Sequence, residues 1–89
     1  MDYLCKTPRQ LGQILKGLRR DKGITQAQAG SRIGLRQSEI SSLEADPSKS
    51  SLERLFRLAS TLDLDFVVRD RTGPPSRSRK IKAKRGDAW

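Results

Sequence analysis

Residues 25–44 read TQAQAGSRIGLRQSEISSLE, and the fold turns on this stretch. Thr25 with Gln28 is a capping box that opens a helix at Gln26. Counting from Gln26, a small residue (Gly30) falls fifth, a glycine (Gly34) ninth, Ile40 fifteenth and Leu43 eighteenth. Two short helices packed near a right angle need this order. The small residue lets them approach, Gly34 takes the positive φ of the turn, and Ile40 and Leu43 fill the shared core. An ordinary helical hairpin in a small bundle is the plainer alternative.

Outward from this pair, the rest of residues 1–62 also reads as short helices. Thr7-Pro8-Arg9-Gln10 combines a cap, a proline at the first helical position and a glutamine at the third. Leu11, Ile14, Leu15 and Leu18 follow at helical spacing, and Gly23 ends that helix. The second helix of the central pair runs from about Gln37 to Ala45 and stops at Asp46-Pro47. Ser50-Ser51-Leu52-Glu53 predicts another capping box, opening a helix with Leu52, Leu55, Phe56, Ala59 and Leu62 inward. Then the period changes to two: Leu64, Phe66 and Val68 alternate with Asp65, Val67 and Arg69. A single strand leaves its backbone unpaired, so the pattern predicts pairing with the same strand of a second subunit. The alternative is an irregular extension packed on the helices.

Charge divides the chain near residue 70. Residues 1–70 carry 12 basic and 9 acidic side chains, whereas residues 71–89 carry 7 basic and 1 acidic. Gly73-Pro74-Pro75 stands at the break, followed by SRSRKIKAKRG, which has almost nothing apolar to bury. The expected organisation is a helical domain over 7–62, a dimerisation strand over 63–70 and a flexible basic tail over 71–89 that ends in Trp89. The formal net charge of +9 on 89 residues points to a polyanion, nucleic acid before anionic membrane.

Composition removes other classes. Hydrophobic residues are 34% of the chain, enough for one small core and no deep catalytic cavity. Histidine is absent, which excludes imidazole catalysis and histidine-bound metal, and the single Cys5 cannot form an internal disulfide. No apolar run reaches the roughly 18 residues of a membrane span, and MDYLCKTPRQ lacks a signal-peptide core. The expectation is a cytoplasmic protein that is not an enzyme, with no cofactor, no metal and no membrane partner.

TQAQAGSRIGLRQSEISSLE resembles the helix-turn-helix of the phage-repressor (Cro/C1, XRE-type) family, over residues 11–62. One departure is Ala29-Gly30, where the family pattern has Leu-Ala. Within that family the chain is similar to HipB-type antitoxins in its size, its TPRQLGQILKGLRRDKGITQ opening, one strand after the fourth helix and a tail ending in Trp. The resemblance implies an all-α domain of four to five helices, with one short C-terminal β-strand pairing across a homodimer. It also implies a repressor on palindromic operator DNA, nucleoid-associated in bacteria, that autoregulates its operon as antitoxin to a HipA-like serine/threonine kinase.

The family's base-reading positions fall on Arg36, Gln37, Ser38 and Ser41. Their chemistry suits base recognition, since arginine forks onto guanine, glutamine pairs with adenine, and serine donates or accepts. Gln26 falls where the family sets an amide on a phosphate, and Arg20, Lys22, Arg32 and Lys49 are further phosphate candidates. Glu39 reads as a helix cap or a partner for Arg36, and Arg19 with Glu44 as a structural ion pair. Trp89, alone on its tail, reads as an anchor for the toxin. Two other readings stay open at this point. One is a solitary repressor or restriction–modification controller. The other is a protein-interaction adaptor whose basic tail binds acidic partners.

Overall fold

The structure, a computed structural model, describes residues 2–72. Four α-helices follow in order: α1 (Pro8–Asp21), α2 (Gln26–Ile33), α3 (Gln37–Ala45) and α4 (Leu52–Thr61), with a 3-10 turn at Pro47–Lys49 between the last two. Local chemistry starts each one. The Gln10 amide N–H donates to Thr7 Oγ1 at 3.1 Å, and the Lys6 N–H donates to Gln10 Oε1 at 2.7 Å. Thr25 and Gln28 cap each other reciprocally, at 3.0 and 2.8 Å. Glu39 Oε1 accepts from the Arg36 N–H at 2.8 Å, so Glu39 is the third-position half of the α3 cap, behind Arg36 at the cap position itself. At α4 the expected box is displaced. The capping hydroxyl is Ser51, accepting from the Arg54 N–H at 3.1 Å, and Glu53 takes no part.

The core joins α1 through Leu15, α2 through Ala29 and Ile33, α3 through Ile40 and Leu43, and α4 through Leu55, Leu58 and Leu62. Leu11, Ile24, Leu35 and Leu64 close its edges. Gly34 has φ +75, so the turn between α2 and α3 uses the left-handed region that L side chains avoid. Gly30 permits close approach: a Cβ there would collide with the Leu35 carbonyl and press on Ile40. Gly12 performs the same service between α1 and α3, where a Cβ would strike the Glu44 carbonyl.

The inward face of α4 differs from the expected one. Leu55, Leu58, Ala59 and Leu62 form the buried stripe, at i, i+3, i+4 and i+7. Leu52 and Phe56 lie on its flank and are 71% and 56% exposed. Assigning Phe56 inward places the stripe about one residue too far round the helix, which also hides Leu58.

Residues 64–70 form neither helix nor ladder, and there is no strand among the described residues. Leu64 is half-buried on the core, and its N–H donates to the Ala59 carbonyl at 2.8 Å. Phe66 meets Phe56 edge to face, with ring centroids 4.9 Å apart. Val68 is 97% exposed. The alternation therefore holds for Leu64 and Phe66 within one chain, and Val68 has nothing of its own chain to cover it among the described residues. The tail expected over 71–89, with Trp89, lies outside the described residues apart from positions 71 and 72.

Candidate nucleic-acid interface

The α2–α3 pair presents one polar surface. Arg36, Gln37, Ser38 and Ser41 are all exposed, while Ile40, Leu43 and Glu44 of the same helix are buried. Helical geometry makes this separation: residues 38 and 41 sit opposite 40 and 43, and Gln37 stands on the flank nearest α2. Arg36 precedes the helix, with its main-chain N–H tied to Glu39 and its side chain exposed. Glu39, the acidic residue among these exposed groups, is held by that cap and lies 3.8 Å from Arg54. Arg36, Gln37, Ser38 and Ser41 thus offer one guanidinium, one amide and two hydroxyls for recognition.

Beneath it lies a buried ion pair. Arg19 Nε donates to Glu44 Oε2 at 2.6 Å, Arg19 Nη2 to Oε1 at 3.1 Å, and Arg19 Nη1 to the Ile24 carbonyl at 2.7 Å. The side chains are 6% and 2% exposed. The expected structural pair between α1 and α3 is therefore present, bidentate and fully engaged. Gln26 joins it, its Nε2 donating to Glu44 Oε1 at 3.1 Å, and Gln37 Nε2 donates in turn to Gln26 Oε1 at 3.4 Å. Sequence reasoning assigns Gln26 and Gln37 to one surface but misses their link to Glu44. Eighteen residues separate Gln26 from Glu44, and no local pattern marks the contact.

The remaining cations divide. Arg20 and Lys22, at the C-terminal end of α1, are exposed and form no ion pair among the described residues. Lys49 is exposed on the 3-10 turn, close enough to Asp46 to help lower its pKa. Arg32 is elsewhere: it stands at the end of α2 away from Gln26, and its Nη1 donates to the Thr61 carbonyl at 3.4 Å. Arg57 returns the favour from α4, donating to the Ile33 carbonyl at 2.8 Å. Each arginine caps the C-terminus of the other's helix, where carbonyls lack partners and the helix dipole favours a cation.

Comparison with known proteins agrees with this geometry. Residues 15–68 match a family described as helix-turn-helix. The chain is 33% identical over 64 residues to antitoxin HipB of Escherichia coli O6:H1, covering 72% of this chain and 68% of that one. It is 31% identical over 64 residues to antitoxin HipB of Escherichia coli K12, covering 72% and 73%. Among solved structures it resembles a HipB-O4 20mer complex, with a TM-score of 0.72 at 29% identity, over 78% of this chain and 97% of that one. A HipA-HipB-O2-O3 complex gives the same TM-score, identity and coverage.

Proposed function

The chain belongs to the helix-turn-helix family that includes the HipB antitoxins, and from that premise we propose that it is a homodimeric, sequence-specific DNA-binding repressor and the antitoxin of a HipA-like serine/threonine kinase. The observation that carries this is the capped α2–Gly34–α3 unit, with Arg36, Gln37, Ser38 and Ser41 exposed above a closed core. The HipB complexes with O-site 20mers, and the one that also holds HipA, support operator binding, toxin binding and autoregulation. Cytoplasmic location follows from that role.

Residues 7–62 bind DNA in this reading. Arg36 and Gln37 read base edges in the major groove, with Ser38 and Ser41 beside them. Gln26, Arg20, Lys22 and Lys49 hold phosphates, and Arg32, turned to α4, contributes field rather than contact. Residues 63–70 pair with their two-fold mate through Leu64, Phe66 and Val68. The basic tail over 71–89 adds affinity for the polyanion, and Trp89 anchors the kinase.

Selection from a random pool of duplexes tests the core of this proposal. A palindromic consensus whose binding weakens steeply with salt is expected, whereas salt-sensitive binding with no preferred sequence would return the adaptor reading. Titration calorimetry against the HipA-like kinase tests the anchor. Trp89→Ala should weaken the complex by about 2 kcal/mol or more, the scale of an interface hot spot, with operator affinity unchanged. Equal kinase affinities in the two forms would remove Trp89 from the interface.

A further inference from the structure

A single hydrogen-bonded chain runs from the buried core to the exposed face of α3: Arg19 to Glu44, Glu44 to Gln26, Gln26 to Gln37. Its polarity is decided at the buried end. A glutamine amide presents a donor at one end and an acceptor at the other, and in water either end serves. A carboxylate only accepts. Glu44 already uses both oxygens on Arg19, and Oε1 accepts once more from Gln26. Gln26 is therefore obliged to turn its NH2 inward and its carbonyl outward. That carbonyl accepts from Gln37 Nε2 at 3.4 Å, a long bond that turns the Gln37 NH2 toward α2.

We infer that Glu44, acting through Gln26, fixes the order in which Gln37 presents its acceptor and its remaining N–H to a base edge, so that Glu44 is a positioning residue for sequence recognition. This rests on the DNA-reading proposal above. A base pair and its reverse offer the groove opposite orders of donor and acceptor, so an amide free to flip distinguishes them poorly. An amide held in one order is matched by one of them. Gln26, otherwise a phosphate ligand, becomes the link between the core ion pair and base choice. The buried pair then serves recognition as well as folding.

The test uses the full chain and the duplex that it selects from a random pool. The base pair read by Gln37 is the one whose preference Gln37→Ala abolishes. Gln26→Met keeps side-chain length and helix propensity at a partly exposed helix start, and removes both polar ends. It is expected to cut discrimination at that one base pair about tenfold, the scale of one good base contact. Loss of the Gln26 phosphate contact should weaken selected and unselected duplexes by one common factor, and in the Gln37→Ala background Gln26→Met should remove no further discrimination at that base pair. Glu44→Gln, which offers Gln26 either end of an amide, should give the same single-position loss; Gln26→Met carries the test if that variant melts early. An equal loss on selected and unselected duplexes with discrimination intact would make Gln26 a phosphate ligand alone and overturn the relay. Additive losses of discrimination at that base pair for Gln26→Met and Gln37→Ala would also overturn it. Failure of the wild type to select any sequence would overturn the DNA-reading proposal itself, and the relay with it.

Discussion

In the α2–α3 half of the molecule, Ala29, Ile33, Ile40 and Leu43 are all buried. In α4 and the segment behind it, Leu55, Leu58 and Leu62 are buried, but Leu52, Phe56, Val67 and Val68 face water. The first half finds its partners within the chain: its caps and turn glycine are local, its buried ion pair reaches back to α1, and Arg57 of α4 caps α2. The second half carries a surplus. Exposed apolar side chains are common singly, yet Phe56 and Phe66 meet edge to face, with Leu52 one turn before Phe56. One region covers its apolar side chains; the other leaves several of them open to water among the described residues.

The largest expected effect lies in the closed half. Glu44→Ala would leave the Arg19 guanidinium buried without its carboxylate, at a cost of about 3–5 kcal/mol. Replacing both partners, with Arg19→Met and Glu44→Leu, should recover most of that loss because no charge remains stranded. Urea unfolding of the three chains measures it. A cost below about 1 kcal/mol for Glu44→Ala would mean that this half is not sealed.

Next comes the contrast within α4. Leu58→Ala should destabilise the domain by about 2–5 kcal/mol, since Leu58 is fully buried. Phe56→Ser, one flank away, should barely change the midpoint in dilute monomer and should instead weaken self-association. Val67→Pro, which removes a backbone donor from the proposed ladder, should do the same without touching the core. Sedimentation at tens of micromolar protein separates the two kinds of effect. A wild-type monomer there, or a Phe56→Ser chain that unfolds as readily as Leu58→Ala, breaks the comparison.

The same division decides how much was legible. Capping boxes and Gly34 are local signals, so the boundaries of α2 and α3, and the exposure of Arg36, Gln37, Ser38 and Ser41, follow from spacing alone. Gly12 and the Gln26–Glu44 bond are contacts between distant positions, and spacing along the chain is silent about them. Leu52 and Phe56 misled because periodicity identifies an apolar face without saying which molecule covers it. A strand pattern at 64–69 has the same ambiguity: ladder bonds belong to pairs, and one chain supplies half of one.

Two exposed cations, Arg36 before α3 and Lys22 at the end of α1, sharpen the picture by behaving differently. Arg36→Ala should cost about 1–3 kcal/mol on the selected duplex and relax preference at one base pair. Lys22→Ala, at the end of α1, should weaken all duplexes alike and lower the salt slope by about one. Anisotropy titrations across a salt series compare them. Equal losses on selected and random duplexes for Arg36→Ala would remove it from base reading.

The smallest effect belongs to the joint between the two halves. Asp46 ends α3, and its Oδ1 accepts from the Ser48 hydroxyl at 2.6 Å and the Ser48 N–H at 3.1 Å, shaping the turn that leads to α4. The hydroxyl bond first, then the amide bond, hold the carboxyl below the usual aspartate range, with Lys49 and Arg9 adding to them against a small desolvation cost. A depressed folded pKa stabilises the fold above the unfolded value of about 3.9, and that contribution is lost as pH falls through the folded pKa. The stability difference between wild type and Asp46→Asn should therefore be level from neutral pH down to about 5 and should close below about 4. Asp46 is solvated, so the difference stays small. Ser48→Ala should move the Asp46 titration back toward the ordinary range, because the strongest donor is gone. Carbon-13 titration of the Asp46 carboxyl reads both chains directly. An unchanged midpoint in Ser48→Ala would shift the credit for this turn to Pro47, which is buried beside Gly12, and leave Asp46 as a spectator on the surface.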